Sequence, residues 1–251
     1  MSKLPPPPNA VRVWRGYRSP SLEVKDFYDK LSTVFVPATV EMQTPIGLCA
    51  YIPTIPCDLA DKPDTVPDET AILYWESQDT YHNGFNTLGV RTYTLTHGSV
   101  YTDESRADFP TFFNGALTSE QPCYLIDKAV DWMRGEVRHL VAGKPSALSS
   151  DEFMDQVAKI MTEIQSEASV DGAVICVGDD YLVYWELGQE SAGYSKLQAL
   201  VGWQLDANPA PNTLTAKLWD DWSGMKIKPG SSFNMQFKRD SYEYACPDAS
   251  G

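Results

Sequence analysis

A five-residue pattern occurs twice in this chain and limits the folds open to it. Residues 72–76 read Ile-Leu-Tyr-Trp-Glu, and residues 182–186 read Leu-Val-Tyr-Trp-Glu. Upstream of each, a second pattern is shared between residues 10–16 (Ala-Val-Arg-Val-Trp-Arg-Gly) and residues 136–143 (Glu-Val-Arg-His-Leu-Val-Ala-Gly). Because the two patterns stand in the same order, the chain of 251 residues is predicted to contain two similar halves.

Strands and helices are predicted to alternate in the first half. Its predicted elements are a strand (10–16), a helix (24–35), two strands (48–55 and 70–77) and a helix with apolar residues at Tyr81, Phe85 and Leu88. Pro37 is expected to end or kink the first helix, because a proline in a helix interior removes a hydrogen bond.

The same series is predicted in the second half. Ser149 and Glu152 are spaced as a capping box at the start of a helix. The further predicted elements are two strands (173–177 and 181–187) joined by a Gly-Asp-Asp turn, a helix (194–205), a strand (213–219) and a terminal hairpin around Pro229-Gly230. The order of elements is therefore β-α-β-β-α-β, twice.

The predicted division of the chain follows these elements. It comprises a proline-rich arm (1–9), a first half (10–120), a connecting helix (121–134), a second half (135–240) and a tail (241–251). A single β-α-β-β-α-β unit carries both helices on one side of its sheet, so the other face must be covered. Apolar residues occupy both faces of the first Tyr-Trp-Glu strand. We therefore predict an α+β fold in which tandem ferredoxin-like halves form an intramolecular α+β barrel.

This arrangement resembles the dimeric α+β-barrel superfamily, with both copies fused in one chain. The resemblance implies a ligand held between sheet and helices or inside the barrel. Members include cofactor-free monooxygenases, small polyketide cyclases, haem-degrading enzymes and haem lyases. The tandem layout is most similar to the haem-containing aldoxime dehydratases, although the helix after residues 184–186 has no histidine where those enzymes carry their axial ligand.

Composition excludes several classes of protein. The net charge of −14 argues against nucleic acid as a partner, and the 43% of hydrophobic residues argues against disorder. No stretch reads as a membrane span or as a signal peptide. Five cysteines without a CxxC pair (Cys49, Cys57, Cys123, Cys176 and Cys246) indicate reduced thiols. These features predict a cytoplasmic protein that binds neither nucleic acid nor membrane.

Three histidines are the candidate bases or ligands. His139 shares a predicted strand face with Val137 and Val141, so it needs either a hydrogen-bond partner in the core or a ligand. His82 lies in the first turns of a helix, facing either solvent or a ligand, and His97 lies in a predicted turn. No pair of histidines has metal-ligand spacing, so no metal site is expected.

Charged residues on the predicted strands supply further candidates. Arg15 and Tyr17 share a face with Val11 and Val13, where an arginine would bind a carboxylate or enolate oxygen. The alternative is an exposed strand edge with solvated arginines. Glu76 and Glu186 follow the repeated Tyr-Trp pair, either as a general base and acid in one cavity or as favourable charges near helix N-termini.

Aromatic residues point to the class of ligand. Seven Trp and thirteen Tyr predict either a thick aromatic core or a cavity for a flat, apolar molecule. The candidate ligand-binding residues are Trp75, Tyr74, Tyr184, Trp185 and His82. No GxGxxG, P-loop or GxSxG motif is present, which disfavours the common routes of hydride transfer, phosphoryl transfer and serine hydrolysis.

Three functional hypotheses follow. The first is an enzyme of monooxygenase, cyclase or lyase type that acts on a small hydrophobic molecule by acid/base chemistry with His139, Arg15, Tyr17, Glu76 and Glu186. The second is a non-catalytic small-ligand-binding protein. The third is a haem-dependent dehydratase with His82 or His139 as axial ligand. No cofactor is favoured, haem being the alternative, and a monomer is favoured over a homodimer.

Overall fold

The computed structural model describes residues 10–55, 62–128, 137–190, 192–205, 233–234 and 237–238. The strands are β1 (Val11–Gly16), β2 (Leu48–Ile55), β3 (Glu69–Trp75), β4 (Arg106–Asp108), β5 (Thr111–Phe112), β6 (Cys123–Tyr124), β7 (Val137–Gly143), β8 (Val170–Val177), β9 (Tyr181–Gly188), β10 (Trp203–Leu205), β11 (Phe233–Asn234) and β12 (Phe237–Lys238). The α-helices are α1 (Val24–Lys30), α2 (Val36–Gln43), α3 (Gln78–Gly84), α4 (Leu88–Thr96), α5 (Ser150–Gln165) and α6 (Ala192–Gln198).

The strands form two sheets with the same central order. The first sheet runs β2-β3-β1-β4, with β11 and β12 paired to β2, and the second runs β10-β7-β9-β8-β6-β5. In each half the four principal strands therefore lie in the order fourth, first, third, second, and every pair among them is antiparallel. This is the order of a ferredoxin-like β-α-β-β-α-β unit. The molecule has a mixed α+β fold of ferredoxin-like type.

The Tyr-Trp-Glu patterns are out of phase in the two sheets. Val11 of β1 pairs with Tyr74 of β3, whereas the matching Val137 of β7 pairs with Leu187 of β9. Tyr74 consequently lies on the face of its sheet that meets the other sheet, while Tyr184 packs on the helix side of its own. The pattern that predicts the repeat does not mark equivalent positions, although the strand order is shared.

The two sheets pack against each other through one face of each. Thr70 of β3 and His139 of β7 are joined across this boundary by a hydrogen bond of 2.9 Å. Tyr74 of β3 and Tyr124 of β6 both belong to the buried cluster at this boundary. We call this region the inter-sheet core. It is lined by alternate residues of the facing strands, because successive side chains of a strand point to opposite faces.

Helix α5 covers the outer face of the second sheet. Its capping box is confirmed, since Ser149 Oγ accepts from the Glu152 backbone N–H and the Glu152 carboxylate accepts from the Ser149 N–H. The predicted apolar stripe is buried at Phe153, Val157, Met161 and Ile164. Burial of such a stripe against the sheet is the main force that holds a surface helix in place.

The predicted helix of residues 24–35 continues past Pro37. Residues Leu31–Phe35 form a π-helical turn, and α2 then runs to Gln43. Pro37 lies in the first turn of α2, where the missing N–H is tolerated, and the wider π turn accommodates the irregularity. Together, α2 and α4 cover the outer face of the first sheet.

Two other predicted elements differ in the structure, and two more cannot be compared with it. Where a connecting helix is predicted over 121–134, the structure has β6, because Cys123 and Tyr124 pair with β8; residues 129–136 lie outside the described residues. Leu205, predicted in a helix, belongs to β10. The predicted strand 213–219 and the turn at 229–230 lie outside the described residues.

Within the described ranges, none of the helices combines the length and the apolar character required to cross a membrane.

Candidate functional site

A cavity of about 390 Å³ lies between the first sheet and its helices. Its volume is within the range of small-molecule sites, which begins at roughly 300 Å³. The wall formed by the sheet is supplied by alternate residues of β1 and β3, namely Arg12, Trp14, Glu69, Ala71, Leu73 and Trp75. Residues of α2 and α4 form the opposite wall. The cavity is therefore lined by the face of the first sheet that points away from the second sheet.

Glu69 is the carboxyl group of this cavity. Only 2% of the residue is exposed, and its Oε2 accepts hydrogen bonds from Trp14 Nε1 and, at 3.2 Å, from the Tyr101 hydroxyl. Burial raises the pKa of Glu69 to about 8, against the effect of the two donors. Its protonation therefore changes near neutral pH, the range in which a general acid or base works best.

Gly16 makes room for this carboxyl group. It is the cross-strand partner of Glu69. A Cβ atom at Gly16 would lie 2.7 Å from Tyr101 Cε1, 2.8 Å from Trp14 Nε1 and 3.0 Å from Glu69 Oε2. The absence of a side chain at this position lets Trp14 and Tyr101 close around the carboxylate.

Hydroxyl groups surround the same end of the cavity. The Thr39 hydroxyl of α2 donates to the Phe35 carbonyl oxygen at 2.8 Å and is hydrogen-bonded to the Tyr93 hydroxyl of α4. Tyr51 of β2 also lines this cavity. Burial raises the pKa of Tyr93 and of Tyr51, so both phenols stay neutral and serve as hydrogen-bonding groups.

His97 contributes a ring nitrogen to the cavity wall. Its Nδ1 lies 3.3 Å from the Tyr93 carbonyl oxygen and 3.2 Å from that of Thr94, so Nδ1 carries the proton and Nε2 is the acceptor. Burial lowers the pKa of His97. The ring stacks on Tyr101, with centroids 5.7 Å apart and an interplanar angle of 26°.

Arg12 lies on the other side of the cavity. Its guanidinium carbon is 4.3 Å from the centre of the Tyr81 ring and 5.4 Å from that of Phe109, and its Nη2 donates to the Ala107 carbonyl oxygen. Burial lowers the pKa of Arg12 to about 10, which leaves the group charged at neutral pH.

Among the predicted site residues, His139 lies in the inter-sheet core. It is 1% exposed, its Nε2 is hydrogen-bonded to Thr70, and its ring centre is 5.0 Å from that of Trp185. Burial lowers its pKa to about 3, so the imidazole is neutral. This geometry matches the core histidine that the sequence left open as an alternative, with a partner at Nε2 and none at Nδ1 among the described residues.

Arg15 and Tyr17 lie at the edge of the inter-sheet core, away from the cavity. Arg15 is fully buried and pairs with Asp108 and Glu120. The Tyr17 hydroxyl is 3.4 Å from that of Tyr181 and lines a second, open cavity of about 480 Å³. The predicted shared face with Val11 and Val13 is observed for Arg15, and it faces the second sheet.

Glu76 and Glu186 do not enter one cavity, which corrects the prediction of a symmetric acid/base pair. Glu76 is exposed at the end of β3. Glu186 is fully buried, and its Oε2 accepts from the Tyr184 hydroxyl at 2.7 Å and from the Tyr194 backbone N–H at 3.1 Å. It stabilises the start of α6, as expected for a carboxylate near a helix N-terminus.

The predicted ligand-binding residues separate in the same way. Trp75 lines the cavity. Tyr74 and Trp185 lie in the inter-sheet core, and Tyr184 packs beneath α5 and α6. His82 is exposed, with its ring against Tyr81 and Phe109, and it does not line the cavity.

The sequence reasoning missed Glu69, Trp14, Tyr101, Tyr93 and Arg12 as site residues. Alternation along β1 was the available signal, since Arg12 and Trp14 occupy the face opposite to Val11 and Val13. The face of β1 that carries Val11 and Val13 was predicted to form the site because it also carries Arg15. In the structure that face packs into the inter-sheet core. Nothing in the sequence places Glu69 opposite Gly16, because that depends on the pairing register of β1 and β3.

A metal site and the proposed haem ligands receive no support from the geometry. The described part of the chain contains no group of three or more His, Cys, Asp or Glu residues placed to hold a metal ion. His139 is enclosed between the sheets and His82 faces solvent, so neither presents a ring nitrogen to the cavity. These two residues do not fit the role of axial haem ligand at this site.

Comparisons with known proteins give only distant likeness. No protein-family model matches the chain. No curated protein matches it either.

The solved structures that resemble the chain weakly include the following three. A candidate monooxygenase from Lactobacillus acidophilus NCFM is 8% identical, covers 78% of this chain and 90% of its own, and has a TM-score of 0.32. A candidate monooxygenase from Fusobacterium nucleatum subsp. nucleatum ATCC 25586 is 8% identical. The match covers 81% of this chain and 90% of that protein, with a TM-score of 0.37. An anthrone oxidase-like protein is 13% identical. The match covers 78% of this chain and 90% of that protein, with a TM-score of 0.36. At these TM-scores the likeness assigns neither a reaction nor a ligand to this chain.

Proposed function

We propose that this protein is an enzyme that moves a proton on a small, flat, hydrophobic molecule bound in the cavity of the first sheet. The observation that carries the proposal is Glu69, a buried carboxyl group whose pKa burial raises to about 8. It stands in a cavity of about 390 Å³ whose walls are largely aromatic. A perturbed carboxyl group inside a well-formed pocket is a recognised mark of a catalytic site.

The hydrogen bonds of Glu69 define its chemical role. Both donors, Trp14 Nε1 and the Tyr101 hydroxyl, meet Oε2. Oε1 is then the oxygen that takes a proton from an acidic C–H or O–H group of the ligand. Where that bond is a C–H bond next to a carbonyl group, its electron pair passes to the ligand and the carbonyl oxygen becomes an enolate oxygen. Glu69 then trades the abstracted proton for one from solvent and delivers the solvent-derived proton to the same carbon, which completes an exchange.

The aromatic walls determine which molecules enter. Trp14 packs edge-on against Tyr101, with ring centres 5.2 Å apart, and Trp75 packs edge-on against Tyr81 at 5.1 Å. Such rings favour a flat ligand whose faces and edges they contact. They also cover Glu69, which is 2% exposed, and this burial raises its pKa.

A non-catalytic ligand-binding protein is the second candidate. The observation that favours it is the dense packing of Glu69, which is hardly exposed and already accepts two hydrogen bonds. In that case the carboxyl group would fix the orientation of a bound molecule and remain chemically idle.

Proton exchange on 2-tetralone distinguishes the two candidates. This bicyclic ketone has an acidic C–H group next to its carbonyl, and NMR follows the replacement of that hydrogen in D₂O at pH 8. We expect the protein to accelerate the exchange, and Glu69→Gln to bind the ketone while losing roughly 10²- to 10⁴-fold of that acceleration. Binding without acceleration would assign the protein to the second candidate. A failure of the ketone to bind would count against the cavity as the site.

The architecture is part of the same proposal. We infer that the two halves are copies of one ferredoxin-like unit and that their facing sheets form an intramolecular α+β barrel, with the ligand outside the barrel between one sheet and its helices. The shared strand order of the two sheets supports this inference. A chain that contains both halves needs no second copy to cover either sheet face, which favours a monomer.

A further inference from the structure

We propose that the cavity selects flat aromatic molecules that carry an anionic oxygen, above all a carboxylate, and that Arg12 binds this oxygen at the end of the cavity away from Glu69. The inference rests on the proposed function, because it takes the same cavity as the ligand site, and it specifies the class and orientation of the ligand.

The backbone fixes Arg12 in the cavity wall. It pairs with Leu73 across the strands, four residues along β3 from Glu69. Four residues of a strand span roughly 13 Å, so the backbones of Arg12 and Glu69 lie far apart along the sheet wall. Tyr81 and Phe109 hold the guanidinium by their ring faces, and the Ala107 carbonyl oxygen accepts from Nη2. A cation held in this way presents a fixed set of donors.

Arg12 lacks the counter-ion that its neighbours have. Arg15 pairs with Asp108 and Glu120, and Arg106 pairs with Glu120 at 2.8 Å. Within the part of the chain that the structure describes, no carboxylate lies within ion-pair distance of Arg12, and its buried Nε–H meets no acceptor. An unpaired, largely buried charge is costly, and an anionic ligand oxygen would remove that cost.

The charges of the cavity wall favour the same ligand. At neutral pH Glu69, with its pKa near 8, is mostly protonated, and the lowered pKa of His97 keeps that ring neutral. Arg12 keeps its charge, since its pKa stays at about 10, whereas Arg106 at the rim is paired with Glu120. The cavity is thus locally positive in a chain of net charge −14.

The same charges orient the ligand. A carboxylate placed beside Glu69 would repel the ionised form of that residue and hold it protonated. With the carboxylate at Arg12, the opposite end of the ligand reaches Glu69, which is free to ionise and accept a proton. Selection of an anion at one end and proton transfer at the other are therefore compatible.

Two probes of the same shape test the proposal. 2-Naphthoate and 2-naphthamide share a ring system and differ in charge, and calorimetry at pH 7 measures the affinity of each. The proteins are the full-length wild type, Arg12→Met and, as a matched control, Arg91→Met, which removes an exposed arginine of α4. Arg12→Lys, which keeps the charge and loses the planar donor set, covers the case in which Arg12→Met does not fold.

We expect wild type and Arg91→Met to bind naphthoate at least about tenfold more tightly than naphthamide, in line with a charge-assisted hydrogen bond. In Arg12→Met the naphthoate affinity falls by that factor and the naphthamide affinity stays the same, while Arg12→Lys keeps part of the preference. Equal affinity of wild type for the two probes would overturn this inference and leave the role of Glu69 standing. An equal loss for both probes in Arg12→Met would overturn it too, by making Arg12 a structural residue. A failure of both probes to bind wild type would count against the cavity itself, and so against the proposed function, whereas binding of naphthoate alone would be the expected preference in its strongest form.

Discussion

The Thr70 hydroxyl and His139 Nε2 lie 2.9 Å apart and connect the two sheets through their facing surfaces. His139 is almost completely buried, its Nδ1 meets no hydrogen-bond partner in the described part of the chain, and its ring packs on Trp185. The imidazole therefore stays neutral in the folded protein, and protonation would place an unpaired charge between the sheets.

Acid should destabilise the protein through His139. Burial lowers its pKa from 6.5 to about 3, so between these values the unfolded chain binds a proton that the folded protein does not. The contribution of the neutral imidazole to the free energy of unfolding is complete above pH 6.5. It falls as pH decreases, by at most about 1.4 kcal/mol per pH unit for one group. His139→Gln should flatten this fall in urea unfolding measured from pH 7 to pH 4. His82→Gln, at an exposed position, is the control, and an equal flattening there would refute the assignment.

Glu69 should give stability the opposite dependence on pH. Burial raises its pKa from 4.5 to about 8, so the folded protein holds a proton that the unfolded chain releases over this range. The contribution is complete below pH 4.5 and is lost as pH rises to about 8. The glutamine of Glu69→Gln cannot ionise. The free energy of unfolding of this variant should therefore lack the fall between pH 4.5 and pH 8 that the ionisation of Glu69 causes in the wild type. The same series with Glu104→Gln, an exposed carboxylate, should follow the wild type; if Glu69→Gln does so too, Glu69 is not a buried acid.

A methyl group at position 16 should disturb the carboxyl group of the cavity. The new Cβ would lie under 3.0 Å from Tyr101 Cε1 and Trp14 Nε1, both of which hold Glu69. We expect Gly16→Ala to lower the free energy of unfolding by roughly 1–3 kcal/mol. Gly98→Ala is the control, because its Cβ would meet no atom within 4 Å, and its effect should stay within about 0.5 kcal/mol. Equal effects of the two substitutions would show that the space at Gly16 does not matter.

The two motif tryptophans should respond differently to the same substitution. Trp75 lines the cavity, whereas Trp185 packs on His139 between the sheets. Trp75→Phe should weaken the binding of 2-naphthamide by removing part of an aromatic wall. Trp185→Phe should lower the free energy of unfolding and leave that affinity unchanged, because it leaves a void in the inter-sheet core. Calorimetry and urea unfolding of both variants separate the two roles, and matching losses of affinity would argue against the placement of the cavity.

Local patterns were sufficient to predict much of the fold. The capping box of Ser149 and Glu152 and the strand at Leu48–Ile55 were both predictable, because turn chemistry and hydrophobic spacing act within a few residues. The short strand at Cys123–Tyr124 was not, because it depends on pairing with β8 about fifty residues later. An apolar stretch that reads as helical by spacing is then held extended by a partner strand.

The site was harder to predict than the fold, and register is the reason. Alternation along β1 correctly predicted that Arg15 shares a strand face with Val11 and Val13. It could not predict whether that face meets the helices or the other sheet, because packing decides this. Tyr74 and Tyr184 show the same limit. Each is followed by Trp-Glu in the sequence, yet Tyr74 faces the other sheet and Tyr184 faces the helices of its own sheet. A shift in register moves every side chain of a strand to the other face.

Strand β3 acts as a partition between two compartments. Its odd positions, from Glu69 to Trp75, face the ligand cavity, and its even positions, from Thr70 to Tyr74, face the second sheet. An engineer could therefore recast the cavity for a new ligand by changing odd positions alone, and could tune the resistance of the protein to heat or acid through even positions alone. Apart from Glu69, whose buried carboxyl group also affects the pH dependence of stability, the two properties depend on different side chains, so a change in one need not reduce the other.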